Sequence, residues 1–441
     1  MQNSFETTAA GPNPLSAVSH PDLESKVVAK LTWRLVPFLF VLYVVAYLDR
    51  INVGFAALQM QQELHFNDAV YGLGAGMFFA GYFFFQVPSN LVLQKVGPKR
   101  WIAVLMIAWG VVSCSMIFVT SPRSFYVVRF LLGAAEAGFY PGVILYLRNW
   151  FPISARARTV ARFMAAAPLS GVIGGPISGA LLNWHGRAGF SGWQWLFLME
   201  GLPAILLGAV VLLYLTNRPQ DALWLTDDQR AWLLERLGRE AGSPSGKEAA
   251  MFVAFRTPAV WALAFVYFGL NTVSYGVSMW LPNLIHSVSG VSNVVIGLLS
   301  AIPYLAAVIV MIWVGLHSDR SAERRWHTAV PAFAGATALA VAAYSNSLPL
   351  SIAAISVAVL GVFSMVAPFW TMPTSLLSGV AVAVGIALIN SVGNLGGFFG
   401  PYIIGWLRNA TGNFRGGLLV VGAVLAMSGL TVLRVKHPPQ G

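Results

Sequence analysis

The sequence predicts an all-α membrane protein of twelve transmembrane helices, arranged as two pseudo-symmetric six-helix bundles. Three observations predict it. Only 10% of the 441 residues are charged and 57% are hydrophobic, against roughly 25% charged in an ordinary soluble domain. Apolar stretches of spanning length recur along the whole chain. Two unrelated sets of landmarks also repeat at one fixed distance. Aromatic residues at 13% exclude disorder, and the single cysteine, Cys114, excludes an internal disulfide or a cysteine-rich metal site.

A spanning helix needs about 20 mainly apolar residues. That ruler places spans at 33–59, 70–94, 101–119, 124–147, 160–182 and 193–215, then at 258–286, 293–316, 327–346, 349–376, 380–407 and 416–434. The breaks carry charge or turn residues, such as Gly97-Pro98-Lys99-Arg100, Ser121-Pro122-Arg123 and Asn217-Arg218-Pro219. Glycine and proline recur inside the spans, where membrane helices tolerate them.

Residues 1–30 are polar, with neither the apolar core nor the cleavage site of a signal peptide, and are expected to form a cytoplasmic tail. The expected divisions after it are a bundle at 31–216, a cytoplasmic linker at 217–256, a second bundle at 257–436 and a short tail at 437–441. In the linker, Thr226-Asp227-Asp228-Gln229 has the spacing of a capping box opening a short helix with Trp232, Leu233 and Leu237 on it. Gly242-Ser243-Pro244-Ser245-Gly246 reads as a flexible joint. The whole stretch is expected to be a solvated connector rather than a separate domain.

With the N-terminus in the cytoplasm, 21 of the 27 Lys and Arg residues fall on the cytoplasmic side. Arg123, Arg187, Arg408 and Arg415 fall outside, and Arg50 and Arg129 lie within spans. This is the positive-inside bias, and it places both termini in the cytoplasm. The net charge of +11 therefore reflects topology and not a nucleic-acid partner.

Asn90-x-x-x-Gln94-Lys95-x-Gly97-x-Lys99-Arg100 ends the second span, and Gly315-x-x-x-Asp319-Arg320 with Arg324-Arg325 ends the eighth, 225 residues on. Gly175-Pro176 and Gly400-Pro401 also stand 225 apart. A six-plus-six duplication follows, and two such halves suit a transporter that rocks around a midplane site.

A charge near the bilayer centre costs about 2.5–3.5 kcal/mol on insertion scales, so each needs a reason. Asp49 and Arg50 lie just beyond the middle of span one; in span four Glu136 lies near the centre, with Arg129 roughly 10 Å further out at about 1.5 Å per residue. Their counterparts 225 residues on are Ser274, Tyr275, Ala354 and Gly361, so the ionisable residues concentrate in one half. Gly133, between Arg129 and Glu136, permits close approach of a neighbouring helix. One arrangement satisfies all four charges: Asp49 meets Arg129, while Arg50 faces a cavity with Glu136 nearby.

Two roles fit such a cluster. It could lock spans one and four together as a structural ion-pair group. Alternatively Arg50 receives an anionic substrate bidentately, while Asp49 and Glu136 carry protons, since a carboxyl removed from water can titrate near neutral pH. Glu200, before Gly201-x-Pro203, is expected to make an interhelix hydrogen bond. Tyr47 and Tyr82 in the first half, and Asn271, Ser274, Tyr275, Trp370, Thr371, Asn390 and Asn394 in the second, are candidates to complete the cavity or to pack between helices. There is no His-Glu-x-x-His, Gly-x-Ser-x-Gly or Walker lysine loop. The expectation is a non-enzyme without cofactor or metal, driven by an ion gradient rather than ATP.

These residues resemble the major facilitator superfamily over almost the whole chain, through the duplicated loops at 90–100 and 315–325 and through Arg129-x-x-x-Gly133. Tyr47-Leu48-Asp49-Arg50-Ile51-Asn52, Gln86-Val87-Pro88-Ser89-Asn90, Arg129 to Gly142 and Glu200-Gly201-Leu202-Pro203 resemble its anion:cation symporter family, bacterial tartrate-type carriers above all. The first loop departs from the superfamily pattern, with Asn90 and Gln94 where it has Gly and Asp. The resemblance implies proton-coupled uptake of a small organic anion by alternating access, in a bacterial inner membrane, by a monomer. It implies Arg50 as the carboxylate receptor, Asp49 and Glu136 as protonation sites and Arg129 as their partner. It also implies Tyr82 and Asn394 in the pocket, and gating loops at Lys95, Gly97, Arg100, Gly315, Asp319 and Arg320.

The substrate stays open between tartrate or a related sugar acid and an aromatic acid such as phthalate, and a gradient-independent facilitator or exchanger remains the alternative mode. An organic-phosphate exchanger would want basic residues in both halves of the pocket. A drug-efflux pump would want an apolar cavity with a lone acid, and a membrane sensor an output domain.

Overall fold

The computed structural model describes residues 21–240, 255–377 and 380–435. The first half runs α1 (Pro21–Ile51), α2 (Val53–Glu63), α3 (Asp68–Val96), α4 (Pro98–Cys114), α5 (Pro122–Glu136), α6 (Phe139–Trp150), α7 (Ile153–Met164), α8 (Ala166–Leu182) and α9 (Gly192–Tyr214). After α10 (Asp227–Glu240), the second half runs α11 (Pro258–Ser289), α12 (Asn293–Ser321), α13 (Arg325–Tyr344), α14 (Leu348–Leu376), α15 (Val380–Thr411) and α16 (Arg415–Arg434). Eleven stretches among the described residues are long and apolar enough to cross a membrane. The 32-residue α15 stands where the eleventh of the twelve expected spans belongs.

Three expected spans are each built from two helices: α1 with α2, α5 with α6, and α7 with α8. The α5–α6 break has a chemical cause. Pro141 has no N–H to give the carbonyl of Ala137, so the helical ladder loses a rung there. Side-chain caps open several of the helices. Asn67 accepts from the Val70 amide at 2.8 Å, and Ser121 with Ser124 forms a reciprocal box at the head of α5. Such caps give partners to first-turn amides that have none within the helix.

Two regions differ from the sequence expectation. Helix α1 begins at Pro21, about ten residues before the expected end of the tail, because Val27 and Leu31 are fully buried. The linker is not simply a solvated connector. The Thr226 box forms as expected, with Gln229 donating to the Thr226 hydroxyl at 3.4 Å and its side chain accepting from the Thr226 amide at 3.2 Å. The helix that follows docks on the first half. Leu233 is fully buried, the Ile153 amide donates to Glu240 at 2.9 Å, and Trp224 stacks on Trp150 with centroids 5.4 Å apart. The joint at 242–246 and the tail at 437–441 lie outside the described residues.

The halves meet through α2 on α11, α3 on α15 and α8 on α12. The α3–α15 and α8–α12 seams are closest at the face opposite the basic linker, where glycines let backbones touch. A Cβ on Gly72 would lie 2.7 Å from the Pro401 carbonyl, and one on Gly297 would strike the carbonyl of Gly175. There Arg408 pairs with Asp68 at 2.8 Å, and Tyr71 donates to the Met279 carbonyl at 2.7 Å. Among the described residues, no ion pair joins the halves on the basic face. The outer surface carries bare apolar side chains such as Trp33, Phe84, Leu213 and Trp313, as a lipid-facing belt requires.

Candidate functional site

The last turn of α1 delivers Asp49 and Arg50, and successive helical residues point about 100° apart. Asp49 points back into the first half. It is fully buried, and its Oδ1 accepts from the Ser113 hydroxyl on α4 at 2.7 Å and from the Asn52 amide at 3.4 Å. Arg50 points across the seam between the halves. Its guanidinium forms an ion pair with Glu136 at the end of α5 and donates to the Tyr275 hydroxyl on α11 at 3.0 Å. The Phe78 and Tyr82 rings lie 5.4 and 5.5 Å from its Cζ.

Arg50 and Tyr275 occupy equivalent positions of the two halves, 225 residues apart. Residues related by a two-fold rotation can touch only when both lie close to its axis. The guanidinium therefore sits close to the axis relating the halves, with an acid of one half and a phenol of the other on it. Phe79 closes on Tyr275 at 4.4 Å between centroids, and Tyr47 stands 6.4 Å from the same ring. Tyr47, Tyr82 and Tyr275 are all buried.

The expected Asp49–Arg129 pair does not form. Arg129 is fully buried, donates to the Ala75 carbonyl at 3.4 Å, and stacks its guanidinium 5.2 Å from the Phe78 ring. The reason lies in the α3–α5 seam. Gly133 and Gly81 bring the two backbones into contact, so that a Cβ on Gly133 would strike the Phe78 carbonyl. That seam turns Arg129 towards α3, while Ser113 on α4 supplies the donor that Asp49 needs. A sequence offers depth along a helix but not the facing of one helix on another.

In the second half, Trp370 packs edge-on against Tyr267 at 4.9 Å, and Asn271 donates to the Gly393 carbonyl at 3.1 Å. Asn394 is buried and Asn390 half-buried, one turn apart on α15. The direct contacts of Arg50 do not extend to Trp370, Asn390 or Asn394. Of the loop residues, Lys95, Arg100 and Arg320 are exposed and Gly315 half-buried. Gly97 adopts φ 87° against Asn217 of the linker. Asp319 pairs with Arg324 at 2.7 Å within its own loop. Among the described residues, the charge pair that does join the halves is Asp68–Arg408, on the other face.

Phe78, Phe79 and Ser113 were not picked out from the sequence. Two phenylalanines in an apolar run carry no signal, and the serine in an otherwise apolar span was the only clue to its role. Among the described residues no three His, Cys, Asp or Glu side chains gather as a metal site. The chemistry available is a dehydrated guanidinium between the two halves, with carboxyls behind it that have few donors. An anion with a carboxylate could compete with Glu136 for it.

The family profile described as Major Facilitator Superfamily matches residues 39–401. A protein of Agrobacterium vitis named "Putative tartrate transporter" is 48% identical over 420 residues, 95% of this chain and 93% of the relative. A "Quinolone resistance transporter" of Acinetobacter baumannii is 41% identical over 405 residues, covering 92% of this chain and 93% of its own. The crystal structure of a bacterial homolog of the human lysosomal transporter Spinster, inward-facing and occupied, superposes with a TM-score of 0.76 at 16% identity, over 92% of this chain and 98% of its own. At that identity the likeness concerns the fold alone.

Proposed function

The chain belongs to the Major Facilitator Superfamily and is a multi-pass membrane transporter, and from that premise we propose that it takes up a small organic carboxylate, tartrate or a related sugar acid, together with protons. The observation that carries the proposal is Arg50, held at the pseudo-symmetry axis between Glu136 of one half and Tyr275 of the other. The relatives are those expected of the anion:cation symporter family, and the name of the Agrobacterium relative points to tartrate.

In this mechanism Glu136 and the substrate carboxylate compete for one guanidinium. Protonation of Glu136 removes its charge and frees Arg50, which then holds the anion bidentately. Asp49 is the second protonation site, and Arg129 is the nearby cation that balances the acids. A bare charge cannot cross the closed state cheaply, so the halves rock only when the acids are paired, protonated or compensated by substrate. Tyr47 and Tyr82, with Trp370, Asn390 and Asn394 from the second half, line the path. The loops at Lys95, Gly97 and Arg100 and at Gly315, Asp319 and Arg320 act as gates. The basic face is cytoplasmic, the membrane is the bacterial inner membrane, and the working unit is a monomer.

The aromatic collar of Phe78, Phe79, Tyr82 and Tyr275 favours a second reading, an aromatic carboxylate such as phthalate. The name of the Acinetobacter relative, "Quinolone resistance transporter", accords with an aromatic substrate. Uptake of a labelled panel of organic acids into liposomes, with and without an inward proton gradient, tests both. Gradient-driven uptake of tartrate and not phthalate, lost in Arg50→Ala, is expected. Uptake that ignores the gradient, or persists in Arg50→Ala, overturns symport through Arg50.

A further inference from the structure

The positive-inside bias leaves few basic residues for the face opposite the linker, where the sequence places Arg123, Arg187, Arg408 and Arg415. Two of these four line one cavity. It holds about 410 Å³ among the α13–α14 loop, the α15–α16 turn and the end of α11, with Ser287, Ser345, Asn346 and Asn413 also in its walls. Among the described residues no carboxylate lines it. The second half has none to lend: beyond residue 248 the acids of the sequence are Asp319 and Glu323, both at the α12–α13 junction on the basic face. The bias accounts for arginines being scarce here, and it gives no reason for two of them to share an acid-free cavity.

Both guanidiniums are held in place without being neutralised within their own half. Arg415 lies over the Tyr344 ring, its Cζ 5.6 Å from the centroid. Among the described residues it makes no ion pair, and its side chain makes no hydrogen bond. Arg408 lies over Phe414 at 4.3 Å and over Trp280 at 5.4 Å. Its Nη1 is engaged by Asp68 of the first half at 2.8 Å, and its other N–H groups have no hydrogen-bond partner among the described residues. A ring face fixes the direction of a cation and attracts it, but supplies no counter-charge.

We propose that this cavity binds a small dicarboxylate, one carboxylate on Arg415 and the other on the unused N–H groups of Arg408. A guanidinium presents its donors as a fork that matches a carboxylate, and two forks in one cavity select a dianion over a monoanion. The hydroxyl and amide groups of the walls suit an acid that carries hydroxyls of its own. On the topology proposed above the cavity faces outward and collects the substrate ahead of transport. That role rests on the carboxylate-uptake reading, whereas the binding site does not. Arg408 also holds Asp68, so an anion that draws on Arg408 weakens the ion pair tying the halves together on this face.

Protection of a cysteine tests the site. Asn346 is exposed on the cavity wall, and Asn346→Cys in a Cys114→Ser background puts a thiol there. Its alkylation by an uncharged maleimide is followed in the purified full-length protein at constant ionic strength while tartrate is added. Tartrate is expected to slow alkylation, and to do so equally in Arg50→Ala, which removes the central site from the measurement. Arg415→Gln is expected to raise the half-protecting tartrate concentration at least about tenfold, the scale of one charge-assisted hydrogen bond. Arg415 is exposed, so this substitution leaves the packing intact. Lactate, with a single carboxylate, should need at least about tenfold more for the same protection. No protection by tartrate, protection unchanged by Arg415→Gln, or equal protection by lactate or chloride overturns the proposal.

Uptake by cells expressing the full-length protein tests the role in capture. Arg415→Gln should raise the external tartrate concentration for half-maximal uptake several-fold and leave the maximal rate near that of wild type; an uptake curve identical to wild type overturns capture. If wild type takes up no tartrate, the carboxylate-uptake reading fails by itself, and the protected cysteine still decides whether the site exists.

Discussion

At Arg50 the protein keeps a charged side chain where the surroundings are almost all apolar or aromatic, and the way it is held sets what its substitution should do. Lysine is a point charge that cannot hold a carboxylate in two parallel bonds while also donating to Tyr275. Arg50→Lys is expected to lower proton-driven uptake by at least about tenfold, the scale of one charge-assisted hydrogen bond, with the protein still folded by size-exclusion in detergent. Uptake within twofold of wild type would contradict it. Glu136→Gln keeps the shape of the pair and removes the charge that competes with substrate. Its counterflow should persist while its uptake loses dependence on the proton gradient, and gradient-dependent uptake at the wild-type level would remove Glu136 from the coupling. The four charges were legible in the sequence because each interrupts an apolar span. Their pairing was not, because Ser113 and the rotation of α5 against α3 decide it, and neither leaves a periodic trace.

The helices are placed by what their backbones can approach. At Gly133 an added methyl meets the carbonyl of Phe78, part of a neighbouring helix that cannot move aside. At Gly142 it meets only side chains, with Ile102 Cγ1 at 3.3 Å and Leu93 Cδ1 at 3.6 Å, which can shift by a few tenths of an ångström. Gly133→Ala is therefore expected to cost about 1–3 kcal/mol of overpacking and Gly142→Ala much less, so thermal unfolding in detergent should separate the two. Equal melting temperatures would show that the α3–α5 seam yields. The spans and the capping box at Thr226 were readable from hydropathy and spacing. The docking of the linker was not, since Trp150 and Ile153, the partners of Trp224 and Glu240, stand far upstream and carry no sign of a docking surface.

For the molecule as a whole, the closed face opposite the linker is held by glycine seams and by one ion pair, Asp68–Arg408, with each side chain about a fifth exposed. A partly exposed pair of this kind contributes up to about 1 kcal/mol, enough for a roughly fivefold shift between two states of similar energy. Asp68→Asn should open this face, seen as faster alkylation of a cysteine placed at Asn283, which is 8% exposed nearby, in a Cys114→Ser background. Unchanged alkylation would mean that the glycine seams alone hold it shut. The duplication was legible as the repeated 225-residue offset, and that offset also explains why Arg50 and Tyr275 meet. What no repeat could disclose is that the half that buries charges and the half that buries none share a single guanidinium where they meet. The most direct test of that claim is proton movement on adding tartrate to liposomes that hold a pH-sensitive dye. Wild type should carry protons inward with tartrate, and Arg50→Ala should carry neither. Tartrate entry without proton movement, or the same proton signal in Arg50→Ala, would contradict the account.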